Sequence, residues 1–279
     1  MRERELLVNE KLIFLQLQKT GGTFVESRIL ELFPETKQLG KHYRIPREFN
    51  IEQRKVVGAI RDPWDWYLSY WSYSCLSKGG PYSRCVSNKS LFNVLKNARS
   101  ANYHHEFSLG LKHFTEHIFA EITRPVDKWH YVYENADDPK RFRLWLNMVL
   151  SEERKYDLFQ DFGGSQLSGC SGIYTYLFLF LFAKKFSDLF TSKLSPEKLN
   201  LIELNVDHIL RVEQLDNDFN GLIKTLYGEL DLHDSFQSKK EKINTSKRSH
   251  KREYYYDEQT FELVRNKEQF IINKFGYEL

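Results

Sequence analysis

Residues 12–24, LIFLQLQKTGGTF, decide how the rest of this chain is read. Leu12 to Leu17 form a short, nearly continuous apolar run, the pattern of a parallel strand covered on both faces. Gly21 and Gly22 end the run. Val25, Ile29, Leu32 and Phe33 then fall at helical spacing until Pro34 closes the pattern. Strand, tight turn and helix are predicted in one stretch. The glycines let the backbone turn sharply and bring main-chain N–H groups to an anion with no β-carbon in the way. The positive end of the following helix adds attraction. Lys19 contributes a full positive charge, and Thr20 and Thr23 contribute hydroxyl donors. Together they describe a cradle for a phosphate-like group. The plain alternative is an ordinary Gly-Gly turn. This is not a Walker A loop, because the lysine precedes the glycines and no obvious carboxylate stands ready for Mg²⁺.

A second turn repeats the arrangement. Lys55 to Ile60 (KVVGAI) read as a buried strand running into RDPWDWYLSYW, residues 61–71. Asp62 is placed as an N-cap and Pro63 as the first helical residue. Trp64, Tyr67, Leu68 and Trp71 make an apolar stripe at helical spacing. Arg61 closes the strand, and its guanidinium suits a phosphate through a bidentate fork. Ser69, two helical turns on, is expected to turn its hydroxyl to the same mouth. Otherwise, Arg61 pairs with Asp62 or Asp65 and Ser69 faces solvent. Two anion-seeking turns at the ends of parallel strands ask for a ligand with two separated anionic groups.

Further strands are predicted at His130–Tyr133 and His208–Val212. The second leads into a helix marked by Phe219, Leu222, Ile223 and Leu226. Phe261, Val264, Ile271, Ile272 and Phe275 mark a closing helix. The alternation predicts an α/β chain with a doubly wound parallel sheet, its ligand held beyond the carboxyl ends of the strands. With no repeat and no Pro/Ser-rich linker, residues 1–279 are expected to form a single domain. The less regular stretch 75–172 suits a helical insertion on the acceptor side. The chain has 279 residues, 41% hydrophobic and 15% aromatic, so a sizeable core is available. A net charge of +3 gives no support for general nucleic-acid binding and leaves a local basic pocket open. Cys75, Cys85 and Cys170 are odd in number and scattered, which fits a reducing compartment and no zinc site. The apolar run IYTYLFLFLFA, Ile173 to Ala183, falls short of the ~20 residues that span a bilayer. The opening MRERELLVNEK lacks the apolar core of a signal peptide. A cytoplasmic location is therefore expected.

QKTGGTF followed by RDPWDWYLSYW resembles the two nucleotide motifs of sulfotransferases that use 3′-phosphoadenosine 5′-phosphosulfate (PAPS). It is most similar to the carbohydrate branch that includes the heparan sulfate 6-O- and 2-O-sulfotransferases. DHILRVEQLDNDFNGLI, NTSKRSH and FGYE resemble later parts of such domains, whereas residues 88–204 give little to match. The resemblance implies a P-loop-like three-layer sandwich with a central parallel sheet, PAPS as sulfuryl donor and no metal. It implies that Lys19, Thr20, Gly21, Gly22 and Thr23 bind the 5′-phosphosulfate, and that Arg61 and Ser69 bind the 3′-phosphate. Relatives often carry a second arginine where this chain has Trp66, and Lys247 or Arg248 would restore that charge. The alternative for those two is a solvated basic loop. Transfer to a hydroxyl needs a base, and His42 lies in the segment where related enzymes carry a candidate histidine. His104, His105 and Glu48 are the other choices. The acceptor is expected to be a glycan or small glycoside. An atypical P-loop kinase and a non-catalytic nucleotide- or glycan-binding domain are the competing readings.

Overall fold

The computed structural model describes residues 6–38, 44–45, 51–92, 94–95, 107–191, 194–228 and 249–277. In chain order the main elements are β1 (Leu7–Val8), β2 (Leu12–Leu15), α1 (Gly22–Leu32), β3 (Lys37–Gln38), β4 (Lys55–Ile60) and α2 (Pro63–Ser74). There follow α3 (Gly80–Val86), α4 (Phe107–Thr123), α5 (Val126–Tyr133), α6 (Pro139–Val149), α7 (Ile173–Phe182), β5 (His208–Arg211), α8 (Leu215–Tyr227), α9 (Glu258–Lys267) and α10 (Gln269–Phe275). The chain is α/β and mostly helical. It gathers into two compact units: Met1–Asp62, Phe180–Ala183 and Leu204–Thr245 form the first, and Pro63–Leu179, Lys184–Glu203 and Ser246–Leu279 the second.

The first unit contains the sheet, in spatial order β3-β1-β2-β4-β5. β2, β4 and β5 are parallel, with Leu12 opposite Lys55 and Ile60 opposite Arg211. β1 is antiparallel to both β2 and β3, so the sheet is mixed where a wholly parallel one was expected. The cause is local. Parallel neighbours need a long crossover, and the turn at Asn9–Lys11 is too short for one. The Asn9 Oδ1 instead accepts the N–H groups of Lys11 and Leu12, each at 3.0 Å, and folds the chain straight back.

Alternate strand residues point to opposite faces. Leu12, Phe14, Val57, Ala59 and Leu210 pack on one face with Val25 and Ile29 of α1 and Phe219, Leu222 and Ile223 of α8. Ile13, Leu15, Val56 and Ile60 point the other way and are equally buried. On that side the Phe182 ring comes within 2.4 Å of where a β-carbon on Gly58 would lie, which explains a glycine inside a strand. Burying each large side chain of β2 contributes about 1.5–3 kcal/mol. The apolar runs therefore become strands because both faces are covered.

The second unit is helical, and residues 75–172 hold no strand among those described. His130–Tyr133 is not the strand expected of its aromatic and β-branched residues. It is the end of α5, because Trp129, Val132 and Tyr133 share a buried helical face. The Trp129 Nε1 donates to Asp157 Oδ2 at 2.9 Å and completes the anchoring. The run at Ile173 is likewise helical, and no described helix is long and apolar enough to cross a membrane. All three cysteines are free. α2 is more central than its predicted stripe: Trp66, Ser69 and Tyr70 are buried along with Trp64, Tyr67, Leu68 and Trp71.

The expected closing helix is two helices, α9 and α10, divided at Glu268. That side chain is fully buried, and its carboxylate accepts the N–H of Tyr174 at 3.2 Å and of Thr175 at 2.9 Å. It also accepts the hydroxyls of Thr175 and Tyr67. A carboxylate from the C-terminal region thus satisfies orphan donors in the first turn of α7. Burial raises the Glu268 carboxyl from its ordinary 4.5 to about 7, against the opposing pull of these hydrogen bonds.

Replacing Glu268 with Gln keeps the shape but faces some of these donors with an NH₂ group. Urea denaturation is expected to show a loss of about 1–3 kcal/mol. The folded wild type holds a proton that the unfolded chain releases. Its stability therefore falls as pH rises from about 4.5 through about 7, a slope the variant lacks. Identical slopes in both proteins would contradict the assignment.

Candidate functional site

The site begins where β2 ends. Beyond Leu15 the chain turns through Lys19 and Gly21, both left-handed, with φ of 63° and 74°. For lysine that conformation costs about 1–2 kcal/mol, and such strain concentrates at functional positions. Among the described non-glycine residues only Ser77 shares it. Thr20 is fully buried, and its hydroxyl donates to the Leu17 carbonyl at 2.8 Å. That bond closes the turn, so Thr20 offers a ligand its main chain rather than the hydroxyl donor expected from the sequence.

Gly21 caps α1 without any side-chain hydrogen bond, and the first turn of α1 contains no acidic residue. The positive end of the helix is therefore not offset by its own side chains. A β-carbon on Gly21 would approach Leu215 Cδ2 to 2.7 Å, so the turn lies tight against the start of α8. Gly22 opens α1 and is also confined, since Gln16 fills the space of its missing β-carbon. Thr23, next along the helix, is exposed.

Arg61 follows β4, the strand paired in parallel with β2, so the two turns leave the same edge of the sheet. Its charge acts on Lys19. Burial, and then the Arg61 guanidinium, lower the Lys19 ammonium from 10.5 to about 8. Lys19 in the half-buried turn after β2 and Arg61 after β4 thus raise the positive potential at each other, a field to which an anion would respond. Carboxylates tie the neighbouring strand ends: Glu213 Oε1 accepts the Asp62 N–H, and Asp218 Oδ2 accepts the Arg211 N–H, both at 2.7 Å. Glu213 thereby fixes the backbone just after Arg61.

Lys19, Thr20, Gly21, Gly22, Thr23 and Arg61 all lie in the first unit, and the structure brings Lys19 and Arg61 into electrostatic range. Ser69 is buried in α2 and belongs to the second unit. Trp66 lies in the core of that unit, stacked on Tyr174 with ring centroids 4.5 Å apart and planes at 13°. An arginine there would bury its charge, which accounts for an aromatic residue. His42, Lys247 and Arg248 lie outside the described residues, as do His104, His105 and Glu48. No three His, Cys, Asp or Glu side chains among the described residues are grouped to hold a metal. Sequence reasoning missed Gln16 and Glu213. Gln16 is the one polar residue within the apolar run Leu12–Leu17, and Glu213, two residues beyond β5, carries no pattern that singles it out.

Comparison with family models, with curated proteins and with solved structures finds no match for this chain.

Replacing Gly21 with Ala tests whether the turn is as constrained as its geometry indicates. Backbone strain and the Leu215 contact are expected to lower stability by about 1–2 kcal/mol in a denaturant melt. A neutral substitution would mean that the cradle relaxes without cost.

Proposed function

We propose that this chain is a sulfotransferase that carries the sulfuryl group of PAPS to a hydroxyl of a carbohydrate acceptor. One observation carries the reading: Lys19 and Arg61 interact at the ends of adjacent parallel strands, beside the positive end of α1. A donor with phosphate groups at both ends of its adenosine matches two such turns, one for each group. In this reading the first unit is the core of a P-loop-like three-layer sandwich.

The donor supplies an activated sulfuryl group, whose sulfur–oxygen bond to the nucleotide breaks as one to the acceptor oxygen forms. Charge develops on the peripheral and leaving oxygens, so the protein's task is positioning and electrostatic stabilisation. Lys19 and the first-turn N–H groups of α1 hold the 5′ end and neutralise that charge. Arg61 grips the 3′-phosphate. The resemblance offers Lys247 or Arg248 as further charge for that phosphate. His42 accepts the acceptor's proton, a role suited to an imidazole at neutral pH. An atypical kinase would instead require Mg²⁺-dependent use of ATP.

A thermal-shift comparison separates these chemistries. Adenosine 3′,5′-bisphosphate is expected to stabilise the protein without Mg²⁺ and more than ADP or ATP does. Preference for Mg-ATP would overturn the reading. Lys19→Ala is expected to lower transfer by about 10²–10³-fold with its fold intact. Arg61→Ala should mainly weaken nucleotide binding. His42→Ala should keep nucleotide affinity and abolish transfer to glycan acceptors, and surviving transfer would place the base elsewhere.

A further inference from the structure

We propose that Gln16 is a specificity-determining residue of the α1 cradle, its carboxamide meeting the 5′-group of the bound nucleotide beside the N–H groups of the first helical turn. The proposal rests on the nucleotide reading above and adds to it a residue that neither motif contains.

The observation is a matter of space. The point that a β-carbon would occupy on Gly22 is filled by Gln16, whose Nε2, Cγ and Cδ lie 2.1, 2.3 and 2.5 Å from it. Cα–Cβ bonds in an α-helix tilt toward its N-terminus. At the first residue of α1 that point lies on the flank of the helix, tilted toward the end from which the unsatisfied N–H groups project. The Gln16 side chain thus crosses from the end of β2 to the positive end of α1, where the Lys19 turn also lies. This gives Gly22 a reason beyond turning: any side chain there would displace Gln16.

The chemistry of the side chain fits the position. A carboxamide offers an NH₂ donor and carries no charge. Lys19 already bears the cost of burial and of the Arg61 charge, so a third cation would deepen the repulsion. A carboxylate would cancel the attraction for an anion. A neutral donor adds a hydrogen bond to the 5′-group without either penalty.

The test uses the full chain and two ligands at neutral pH. Adenosine 3′,5′-bisphosphate carries the 5′-group, and adenosine 3′-monophosphate lacks it. Gln16→Glu preserves shape and places a negative charge in the cradle. It is expected to weaken bisphosphate binding at least ~10-fold and monophosphate binding less than ~2-fold, because only the former brings an anion to the carboxylate. Gln16→Met retains length but no donor and should weaken bisphosphate binding by ~3–10-fold, again sparing the monophosphate. Equal losses for both ligands would give Gln16 a purely structural role and overturn the proposal. Unchanged bisphosphate affinity in both variants would also overturn it. A wild-type chain that binds neither ligand would refute the nucleotide reading itself, a failure visible before any variant is compared.

Discussion

The repulsion between Lys19 and Arg61 is the constraint from which the functional account grows. Parallel pairing of β2 with β4 sends both chains out at one edge of the sheet. The turn after β2 then holds Lys19 in a left-handed backbone, half-buried and within the field of Arg61. Each of these features costs free energy in the ligand-free protein. Anionic groups bound at the two turns would reverse the electrostatic part, converting a local destabilisation into binding. Such stored strain and unfavourable charge are characteristic of sites prepared for a ligand.

The surrounding fold keeps this arrangement from relaxing. Leu215 at the start of α8 closes on Gly21, and Gln16 closes on Gly22. The Thr20 hydroxyl ties the turn to Leu17, while Glu213 holds the Asp62 amide next to Arg61. β2 and β4 are buried on both faces, so their registers cannot slip without exposing large apolar side chains. The cradle is consequently positioned by packed strands rather than by a loose loop. Precision of that kind is what the proposed sulfuryl transfer would require.

Features encoded over short distances were legible in the sequence. LIFL and KVVGAI read correctly as buried strands, and the glycines at 21 and 22 marked a tight turn. His208–Arg211 was legible for the same reason. What depended on distant contacts was not. WHYVY at 129–133 has strand-forming residues, yet its buried helical face makes it part of α5. The break between α9 and α10 comes from Glu268 turning inward to α7. The short antiparallel strands follow from the Asn9 turn, which no apolar pattern announces. Each of the two compact units is assembled from separated stretches of chain, which no single run of sequence displays. At the site, the charge-bearing turns at Lys19 and Arg61 were legible from residue type. Two further facts needed coordinates: the Thr20 hydroxyl is committed to Leu17, and Gln16 reaches the end of α1.

The coupling of the two cations is open to direct measurement through the ionisation of the Lys19 side chain, followed by NMR in the ligand-free protein and in Arg61→Ala. The account predicts titration near pH 8 in the wild type and a shift toward the ordinary 10.5 once the guanidinium is removed. A saturating dose of adenosine 3′,5′-bisphosphate should also raise it in the wild type. A Lys19 that titrates as an ordinary lysine in the free protein, unmoved by Arg61→Ala and by the nucleotide, would contradict the claim that the two strand ends act on one another as neighbouring anion-binding turns.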